Sequence, residues 1–485
     1  MWRLTKLHSG LLGATLAIHL QWANTALAQR APASPDRPWH APVEERIEAD
    51  AKNVPASRFA VDPAKTYSLP DLIDLAETHN PDTRIAWQRA RSQAAALGVA
   101  RSELYPTLAA AALSQVDRPE AFLVNRFYRQ TVGDFQVVLD LNYTIFDFGA
   151  RSGRIDAASA RTLAANFAFN DTHRKIIYAV EEAYYQLLAA LGQEEAARAS
   201  LRNAQTVQQA AEARLNGGLA SLPDVLEAKS AAAQAAYELQ AVLGNEQIAR
   251  GNLATALGAS PATAIRAQPL AEISIPEAIG DTVERVIDRA LAHRPDLLEH
   301  VAQVRAANAT VKEARAAFYP SLTFSGGPIA QSLYGLQQTF PWGHTAGMAG
   351  GLSLNLNWAV FDGGARRNKL AQAKAEVQAN EAQVNSARDQ IADEVWAAYS
   401  NLNTAFRQRQ AAVALLESAN QSYSAALESY NYGVRNLLDV TAAQRTLALA
   451  QSADVLARTQ VLASLADLAF TTGDSVRANT TRSRP

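Results

Sequence analysis

The sequence predicts an α+β protein made of two related halves, each with a pair of β-strands and a very long helix. The first observation is an internal offset, because equivalent motifs recur 214 or 215 residues apart along the 485-residue chain. The second is an alternation of apolar and polar residues, which indicates strands. The third is the 68-residue run 365–432, which contains neither proline nor glycine. At 1.5 Å per residue, such a run forms a helix of ~100 Å.

Composition narrows the function classes. The formal net charge is −2, so no basic footprint for nucleic acid is visible. The chain has no cysteine, which excludes disulfides, thiolate metal sites, a cysteine nucleophile and lipidation of an N-terminal cysteine. Its 19 prolines are absent from 120–222 and 342–484. Because proline costs ~3 kcal/mol in a helix interior, long helices are expected in those two gaps.

Residues 1–28 are expected to be a secretory signal peptide. Arg3 and Lys6 precede a short apolar core, 11–20, and residues 26–28 have the small-x-small pattern of a cleavage site. A membrane anchor is the alternative, but the core is shorter than the ~20 apolar residues that a helical span needs. No later segment has the composition of a transmembrane helix, so a membrane would be met by strands or by the protein surface.

The segment 29–66 is rich in proline and alanine, and its composition favours an extended arm. The motif Ser68-Leu69-Pro70-Asp71 then indicates the start of a helix, with a capping serine and a proline in the first turn. Asn80-Pro81-Asp82 restarts a helix that is expected to run to about Leu104.

Each half contains one weakly and one strongly alternating strand. The first half has them at 107–116 and 135–146, with the polar stretch 117–133 between them, and the second half at 321–327 and 352–360. The apolar face of the long strand of the first half comprises Phe135, Val137, Leu139, Leu141, Tyr143 and Ile145. The polar faces of both long strands comprise Gln136, Asp140, Asn142, Thr144, Ser353, Asn355 and Asn357. If the strands belong to a membrane barrel, the apolar faces are expected to meet lipid and the polar faces to line a wet lumen.

The offset between the halves is constant enough to predict a duplication. Pairs 214 apart include Pro81 with Pro295 and Pro106 with Pro320; pairs 215 apart include Asp147 with Asp362, Gly218 with Gly433, and Asp224 with Asp439. The matched context Ala-Arg-x-x-(Leu/Phe)-Tyr-Pro precedes the first strand of each half. The predicted organisation is therefore a first repeat at 67–258, a connector at 259–282, a second repeat at 283–474 and a disordered tail at 475–485.

The long helices carry a heptad stripe, which predicts coiled-coil packing. In the second repeat it comprises Leu370, Val377, Val384, Ile391, Ala398, Ala405 and Ala412. In the first repeat, at an offset of 215, it comprises Ile155, Thr162, Phe169, Ile176, Ala183, Ala190 and Ala197. An ordinary amphipathic core helix is the alternative, although the length without breakers favours the coiled coil.

The number of strands limits what a single chain can build. Strands of about ten alternating residues are typical of outer-membrane barrels, but four strands cannot close, and an open edge is not tolerated in lipid. Several chains are therefore expected to share one barrel. The competing interpretation is a water-facing antiparallel sheet that packs on one side.

The duplicated pattern resembles the TolC-like outer-membrane efflux protein family over nearly all of residues 67–474. The resemblance rests on Asn80-Pro81-Asp82, on the Tyr-Pro before each first strand and on Phe-Asp-x-Gly after each second strand. It rests above all on the helix-to-helix tips, 218–226 and 433–440. The resemblance implies a homotrimer with a 12-stranded outer-membrane β-barrel and a 12-helix periplasmic barrel below it. Such proteins are exit ducts of tripartite efflux pumps, working with a periplasmic adaptor and an inner-membrane pump, or of type I secretion systems.

Each tip is expected to be a turn in which glycine ends one helix and an aspartate begins the next, where the helix dipole favours a carboxylate. By resemblance, the apolar residues of the turns are expected to be exposed and to dock the adaptor. The tip residues assigned to docking are Gly218, Leu219, Ser221, Leu222, Asp224, Val225, Gly433, Val434, Asn436, Leu437, Asp439 and Val440. Pure helix capping is the alternative.

The same resemblance places a pore gate just above the second tip. Relatives carry acidic and hydrogen-bonding residues at this level, and the corresponding candidates are Glu428, Tyr430, Tyr432 and Arg435. The first tip has Glu212 and Arg214 at a similar level. Glu428 is the candidate for an acidic ring, with a solvated outer face as the alternative.

No catalytic group, cofactor site or metal site is predicted. A conduit forms no bonds, and the eight histidines are scattered. His79 and His293 recur 214 apart beside a helix-starting proline, where a turn or capping role is favoured over a metal site. The other class of function left open is a secreted coiled-coil scaffold or adhesin.

Overall fold

The computed structural model describes residues 36, 44–53, 59, 61–118, 120–123, 125–276, 280–337 and 340–474. The chain divides into two units, residues 1–58 and residues 59–485. The predicted signal peptide, 1–28, and the predicted tail, 475–485, lie outside the described residues.

The first unit contains helix α1, Glu44–Asn53, inside the stretch that the sequence predicts as an extended arm. That prediction is wrong for these 10 residues. They lie in a segment free of proline, and Glu44 and Glu45 in the first turn and Lys52 in the last turn complement the helix dipole. No residue of α1 is buried, so the helix forms without adding to a core.

The second unit alternates short helices, strands and long helical hairpins. Its helices are α2 (Leu69–His79), α3 (Pro81–Ser102), α4 (Ala150–Asn216), α5 (Leu222–Ala256), α6 (Val283–His293), α7 (Pro295–Ala316), α8 (Ala365–Asn431) and α9 (Leu437–Thr472). Its strands are β1 (Thr66–Tyr67), β2 (Thr107–Asp117), β3 (Glu120–Leu123), β4 (Arg126–Phe146), β5 (Arg266–Ala267), β6 (Ser321–Gln337) and β7 (Phe340–Asn357).

The predicted helix starts are confirmed. The backbone N–H and the hydroxyl of Ser68 both donate to Asp71 Oδ2, at 3.0 and 2.6 Å, and α2 begins at the next residue. Asn80 Oδ1 accepts from the backbone N–H of Asp82 at 2.8 Å and caps α3. His79 and His293 each place Nδ1 3.0 Å from the carbonyl four residues earlier, as expected for residues in a closing helical turn.

The main sheet is antiparallel, in the order β2-β4-β6-β7, with the short β3 paired to β4. Its strands are longer than predicted. The stretch 117–133, predicted as a polar connection, contains β3 and the first part of β4, and β6 and β7 extend to Gln337 and back from Phe340. These extensions are rich in glycine and polar residues, which give little strand signal locally, and they are held by pairing with their neighbours.

The pairing registers of the two halves agree. Thr107 lies opposite Asn142 in β2/β4; adding 214 and 215 gives Ser321 opposite Asn357, which is the observed pair in β6/β7. Within the described residues, β2 pairs only with β4, and β7 only with β6. The sheet therefore presents two unpaired edges.

The apolar face of the sheet is open to its surroundings. On β4, Phe135 and Val137 are 43% and 44% exposed. On β7, Leu352, Leu354 and Leu356 are more exposed still. A surface of this size and character is typical of a site that contacts lipid or protein.

Helices α4 and α8 are each 67 residues long, or ~100 Å at 1.5 Å per residue. Helix α4 packs against α5, α7 and α9, and α9 also packs against α8. Every member of both predicted heptad stripes is buried or half-buried, as expected for a coiled-coil seam.

The Phe-Asp-x-Gly motif builds the joint between strand and long helix. Asp147 Oδ1 accepts from the backbone N–H of Gly149 at 3.2 Å, and Oδ2 accepts from that of Arg151 at 2.7 Å. Asp362 makes the equivalent bonds to Gly364 and Arg366, at 3.1 and 3.0 Å. Each aspartate thereby caps the helix N-terminus, where backbone donors lack partners.

A buried network of ion pairs and hydrogen bonds joins four helices. Arg174, 1% exposed, donates to Asp171 at 2.9 Å and to the Phe470 carbonyl at 3.0 Å. Arg294, 4% exposed, donates to Asp296 and Glu394 at 2.6 and 2.5 Å. Each buried guanidinium has carboxylate partners, so loss of one partner would leave an uncompensated buried charge, and the network links α4, α7, α8 and α9.

Candidate functional site at the helical tips

The first tip joins α4 to α5 through a glycine turn. Gly218 has a φ of 71°, which favours glycine because a Cβ would clash there. The backbone N–H of Leu219 donates to the Arg214 carbonyl at 2.7 Å, and that of Gly218 to the Leu215 carbonyl at 2.9 Å. These two bonds form a Schellman motif, which satisfies the last carbonyls of α4.

Ser221 and Asp224 begin the ascending helix of the first tip. The backbone N–H and the hydroxyl of Ser221 donate to Asp224 Oδ2 at 2.9 and 2.7 Å. The side-chain bond from Ser221, then its backbone bond and the charge of Arg214, lower the pKa of Asp224 below its ordinary value. The carboxylate is therefore ionised at neutral pH and stabilises the positive end of α5.

The second tip has the same outline and a different cap. Gly433 has a φ of 76°, and the backbone N–H of Val434 donates to the Ser429 carbonyl at 2.9 Å. Asn436 Oδ1 accepts from the backbone N–H of Asp439 at 2.9 Å. Here the asparagine caps α9, and Asp439 stands in its first turn without taking the role that Asp224 has in the first tip.

Only half of the predicted apolar docking residues are exposed. Leu219, Leu222 and Val434 are 71%, 59% and 79% exposed. The expectation of exposure is wrong for the other three, which are between 0% and 4% exposed: Val225, Leu437 and Val440. They point between the helices because the apolar packing of the hairpins continues into the tips, where they share a core with Val207, Ala211, Tyr423 and Tyr430. Two further apolar residues, Leu226 and Leu438, are 56% and 66% exposed.

Arg214 connects the two tips, a role that sequence reasoning missed. Its Nη1 donates to the carbonyls of Tyr430 and Asn431 at 2.6 and 3.2 Å, and its Nη2 donates to the Leu219 carbonyl at 3.4 Å. The guanidinium also lies 4.8 Å from the centroid of the Tyr430 ring, a cation–π distance. One side chain from α4 thus caps the C-terminus of α8. The sequence signal for this role was a basic residue in the last turn of α4, where a cation can interact with the carbonyls at a helix C-terminus.

Gly433 is favoured by its backbone conformation and not by crowding. A Cβ built at Gly433 would lie 3.5 Å from Arg214 Nη2, which is an ordinary contact distance. The φ of 76° is what disfavours a larger residue where α8 ends.

The four predicted gate residues do not come together within one chain. Tyr430 is 4% exposed, and among the described residues its hydroxyl has no hydrogen-bond partner. Burial raises the pKa of Tyr430, and the charge of Arg214 opposes that shift. Tyr432, Glu428 and Arg435 are exposed, and the latter two form no ion pair with the described part of the chain. The arrangement leaves them available to other copies or to solvent.

Nothing at the tips resembles a reaction centre. Within the described ranges, no group of three or more histidine, aspartate or glutamate side chains could hold a metal ion. The polar contacts of the tips are helix caps and the Arg214 bridge. Their geometry can hold helix ends together, expose apolar side chains and present charges.

Comparison with known proteins identifies the architecture. The family model described as Outer membrane efflux protein matches residues 72–259 and 286–474. The chain belongs to this family. It is similar to the protein CyaE of Bordetella pertussis, with 31% identity over 413 residues, 82% of this chain and 83% of the relative.

Two further similarities agree with the family assignment. The chain is 27% identical over 401 residues to the solvent efflux pump outer membrane protein SrpC of Pseudomonas putida, covering 81% of each. Its fold is similar to the crystal structure of a membrane protein from Pseudomonas aeruginosa, with a TM-score of 0.73 and 27% identity over 86% of this chain and 98% of that one.

Membership places this chain in the outer membrane, in a family of efflux channels rather than of enzymes. The alternative of a secreted scaffold or adhesin does not fit an outer-membrane efflux protein. Among the described helices, none combines the length and apolar character that a membrane span requires.

We expect Arg214→Met to loosen both tips. The change removes three hydrogen bonds from a charged donor, and such bonds contribute roughly 1.5–3 kcal/mol each. Hydrogen–deuterium exchange of the amides at 217–221 and 432–436 should therefore be faster by about tenfold or more. Arg202→Met is the matched control, because Arg202 is an exposed arginine of the same helix whose guanidinium forms no ion pair or hydrogen bond with the described residues. Equal exchange in the two variants would contradict the bridging role.

Proposed function

We propose that this chain is the outer-membrane channel component of a tripartite efflux pump. Three copies form a passive exit duct across the outer membrane and the periplasm, and the duct opens when a periplasmic adaptor and an inner-membrane pump dock at its helical end. The observation that carries the proposal is the open sheet, which continues into two helical hairpins of ~100 Å in a member of the outer membrane efflux protein family. The similarity to a solvent efflux pump protein supports the assignment to a pump.

The contacts of the chain support a closed ring of copies. Helix α7 packs between α4 and α8, and β4 pairs with β6; both are contacts between the first and the second repeat. The equivalent packing in the other order is missing from the described chain: β7 does not pair with β2, and α3 does not pack along α8. Helix α3 accordingly has no buried residue, whereas α7 has eight. A neighbouring copy would supply the missing contacts and pair both open edges.

The offset also gives the register of that pairing. Val137 lies opposite Ala330, and Leu141 opposite Gly326. Adding 215 to the first member and subtracting 214 from the second gives Leu352 opposite Val116, and Leu356 opposite Ala112, of the next copy. Four long strands from each of three copies would then close a 12-stranded barrel, with the apolar face outward and the polar face lining the lumen.

We expect Leu356→Cys/Ala112→Cys to form disulfides between copies under mild oxidation, because opposed residues of antiparallel strands have Cα atoms ~4.5–5.5 Å apart, within disulfide range. The chain has no native cysteine, so no other thiol can form a disulfide in this assay. Non-reducing electrophoresis should show cross-linked trimers. Leu356→Cys/Leu113→Cys is the control, because a one-residue shift places the second thiol on the opposite face. Efficient cross-linking of the control, or none of the test pair, would refute the register.

The exposed apolar residues at the tips are proposed to dock the adaptor. Leu219, Leu222, Leu226, Val434 and Leu438 lie around both turns on a shared, rigid core. Apolar side chains that remain exposed on a packed support are typical of an interaction site. The buried Val225, Leu437 and Val440 would support this surface from below, while Ser221, Asn436 and the two aspartates fix the turns.

We expect Leu222→Asp/Val434→Asp to abolish efflux while the channel still reaches the outer membrane as a trimer. A charge at each exposed position adds a desolvation cost to docking without disturbing the core. Drug or solvent susceptibility of a strain that lacks the native channel measures efflux, and heat-modifiable migration measures assembly. Leu222→Met/Val434→Ile is the conservative control and should retain efflux. The docking surface is misassigned if the acidic variant supports full efflux.

The gate is proposed to lie between copies. Glu428, Tyr432 and Arg435 are exposed in one chain, so a ring of three copies could bring them together at its narrow end. Tyr430 then acts as the packed support, held beneath Arg214. Glu428 would supply the acidic ring that attracts cations.

We expect Glu428→Ala/Arg435→Ala to raise single-channel conductance in planar bilayers, because contacts that narrow the entrance are lost. The control is Glu381→Ala/Arg407→Ala, an exposed pair higher on α8 with the same change in charge. Conductance that stays at the wild-type value in the first variant would remove these residues from the gate.

A further inference from the structure

The junction between strands and helices contains basic residues that the channel function does not use. The matched motif Ala-Arg-x-x-(Leu/Phe)-Tyr-Pro ends α3 and α7 just before β2 and β6. Arg101 and Arg315 each stand six residues before the first residue of the strand, and Tyr105 and Tyr319 two residues before it. Both tyrosines are exposed, at 70% and 57%.

The carboxylates of this junction pair with other cations. Within ten residues of the strand ends, on the helical side, the acidic residues are Glu103, Asp147, Asp156, Glu313 and Asp362. Arg154 pairs with both Glu103 and Glu313, at 2.6 and 3.4 Å. Asp147, Asp156 and Asp362 pair with Arg151, Lys312 and Arg366 at 3.3, 2.9 and 2.7 Å. Each carboxylate therefore has a cationic partner, although the two glutamates share one.

Three basic side chains in the same window have no such partner. Arg101, Arg315 and Arg367 are exposed, and none of their guanidinium groups forms an ion pair or a hydrogen bond with the described residues. Arg315 stays exposed although α7 packs between α4 and α8, so packing of this kind does not cover the position. The equivalent Arg101 would remain equally open beside a neighbouring copy. With seven basic and five acidic side chains in this window, the junction carries a net charge of +2 in each chain.

Exposed aromatic side chains lie at the same strand ends as these cations. Tyr105, Phe146, Phe148, Tyr319, Trp358 and Phe361 are all between 46% and 88% exposed. Phe148 stacks on Tyr319 at 4.9 Å between ring centroids. Exposed aromatic rings at the end of an apolar strand surface are typical of the level at which a barrel leaves the hydrocarbon and meets headgroups.

We propose that Arg101 and Arg315, with the neighbouring aromatic rings, bind the headgroups of anionic phospholipids in the periplasmic leaflet of the outer membrane. A guanidinium presents a planar fork of donors that matches phosphate oxygens. The apolar strand face leads directly to the site, so acyl chains can lie along it while the phosphate meets the arginine. The two copies of the motif give each chain two equivalent headgroup sites. The inference rests on the proposed orientation, with the helices on the periplasmic side.

Native mass spectrometry of the purified trimer tests the proposal, with phosphatidylglycerol as the anionic probe and phosphatidylcholine as the zwitterionic one. An arginine at a membrane surface contributes enough to anionic lipid binding that Arg101→Gln/Arg315→Gln should weaken phosphatidylglycerol binding about fivefold at each site. Phosphatidylcholine binding should not change. Raising the salt concentration should narrow the difference between wild type and variant, because exposed charges are screened.

The matched control is Arg202→Gln/Arg407→Gln, which removes the same charge from exposed positions of α4 and α8, ~78 and ~63 Å along the helices from the strands at 1.5 Å per residue. It should bind phosphatidylglycerol like the wild type. Equal loss in the control would reduce the effect to net charge, and no loss in either variant would overturn the proposal. Competition by inorganic phosphate as strong as by the lipid would make this a phosphate site instead.

Single-channel conductance of the same variants separates this inference from the proposed function. If Arg101→Gln/Arg315→Gln forms conducting trimers and binds lipid like the wild type, the headgroup site is wrong and the channel stands. If no preparation conducts, the proposed channel function itself fails.

Discussion

The pairing of backbone groups at the edges of the sheet is the constraint on which the rest of this molecule depends. Strands β2 and β7 each use one edge within the chain and leave the other open. An unpaired edge costs several kcal/mol per polar group in hydrocarbon, so a chain of the outer membrane efflux protein family cannot place this sheet in lipid alone. Under the proposed assembly, the predicted duplication would satisfy these edges, because each contact between the first and the second half would recur between neighbouring copies.

The regular parts of the fold could be predicted from local sequence. Heptad spacing, helix caps such as Ser68 and Asn80, and the alternation at 135–146 each act over a few residues. The extra length of β6 and β7 could not be read in this way, because glycines such as Gly343 have no strand preference of their own. Helix α1 was missed because the prolines that flank it dominate the composition of the stretch.

At the tips, sequence reasoning located the turns and misjudged which side chains face outward. Glycine and aspartate mark a turn locally, whereas the burial of Leu437 and Val440 depends on the phase in which two hairpins meet. The bridge from Arg214 to the Tyr430 carbonyl spans 216 positions in the chain, and no local pattern encodes it. The duplicated motifs show where the repeats are alike; the Arg214 bridge arises because they differ.

The two halves are capped alike at the strand end of the long helices and differently at the tips. At the strand end, Asp147 and Asp362 cap both helices in the same way, because each joint makes the same local turn from a strand into a long helix. At the tips, the first turn is closed by Ser221 with Asp224, and the second by Asn436. Constancy at the joints follows from one repeated local motif, whereas the tips differ and are joined by hydrogen bonds from one side chain, Arg214, which only the first tip supplies.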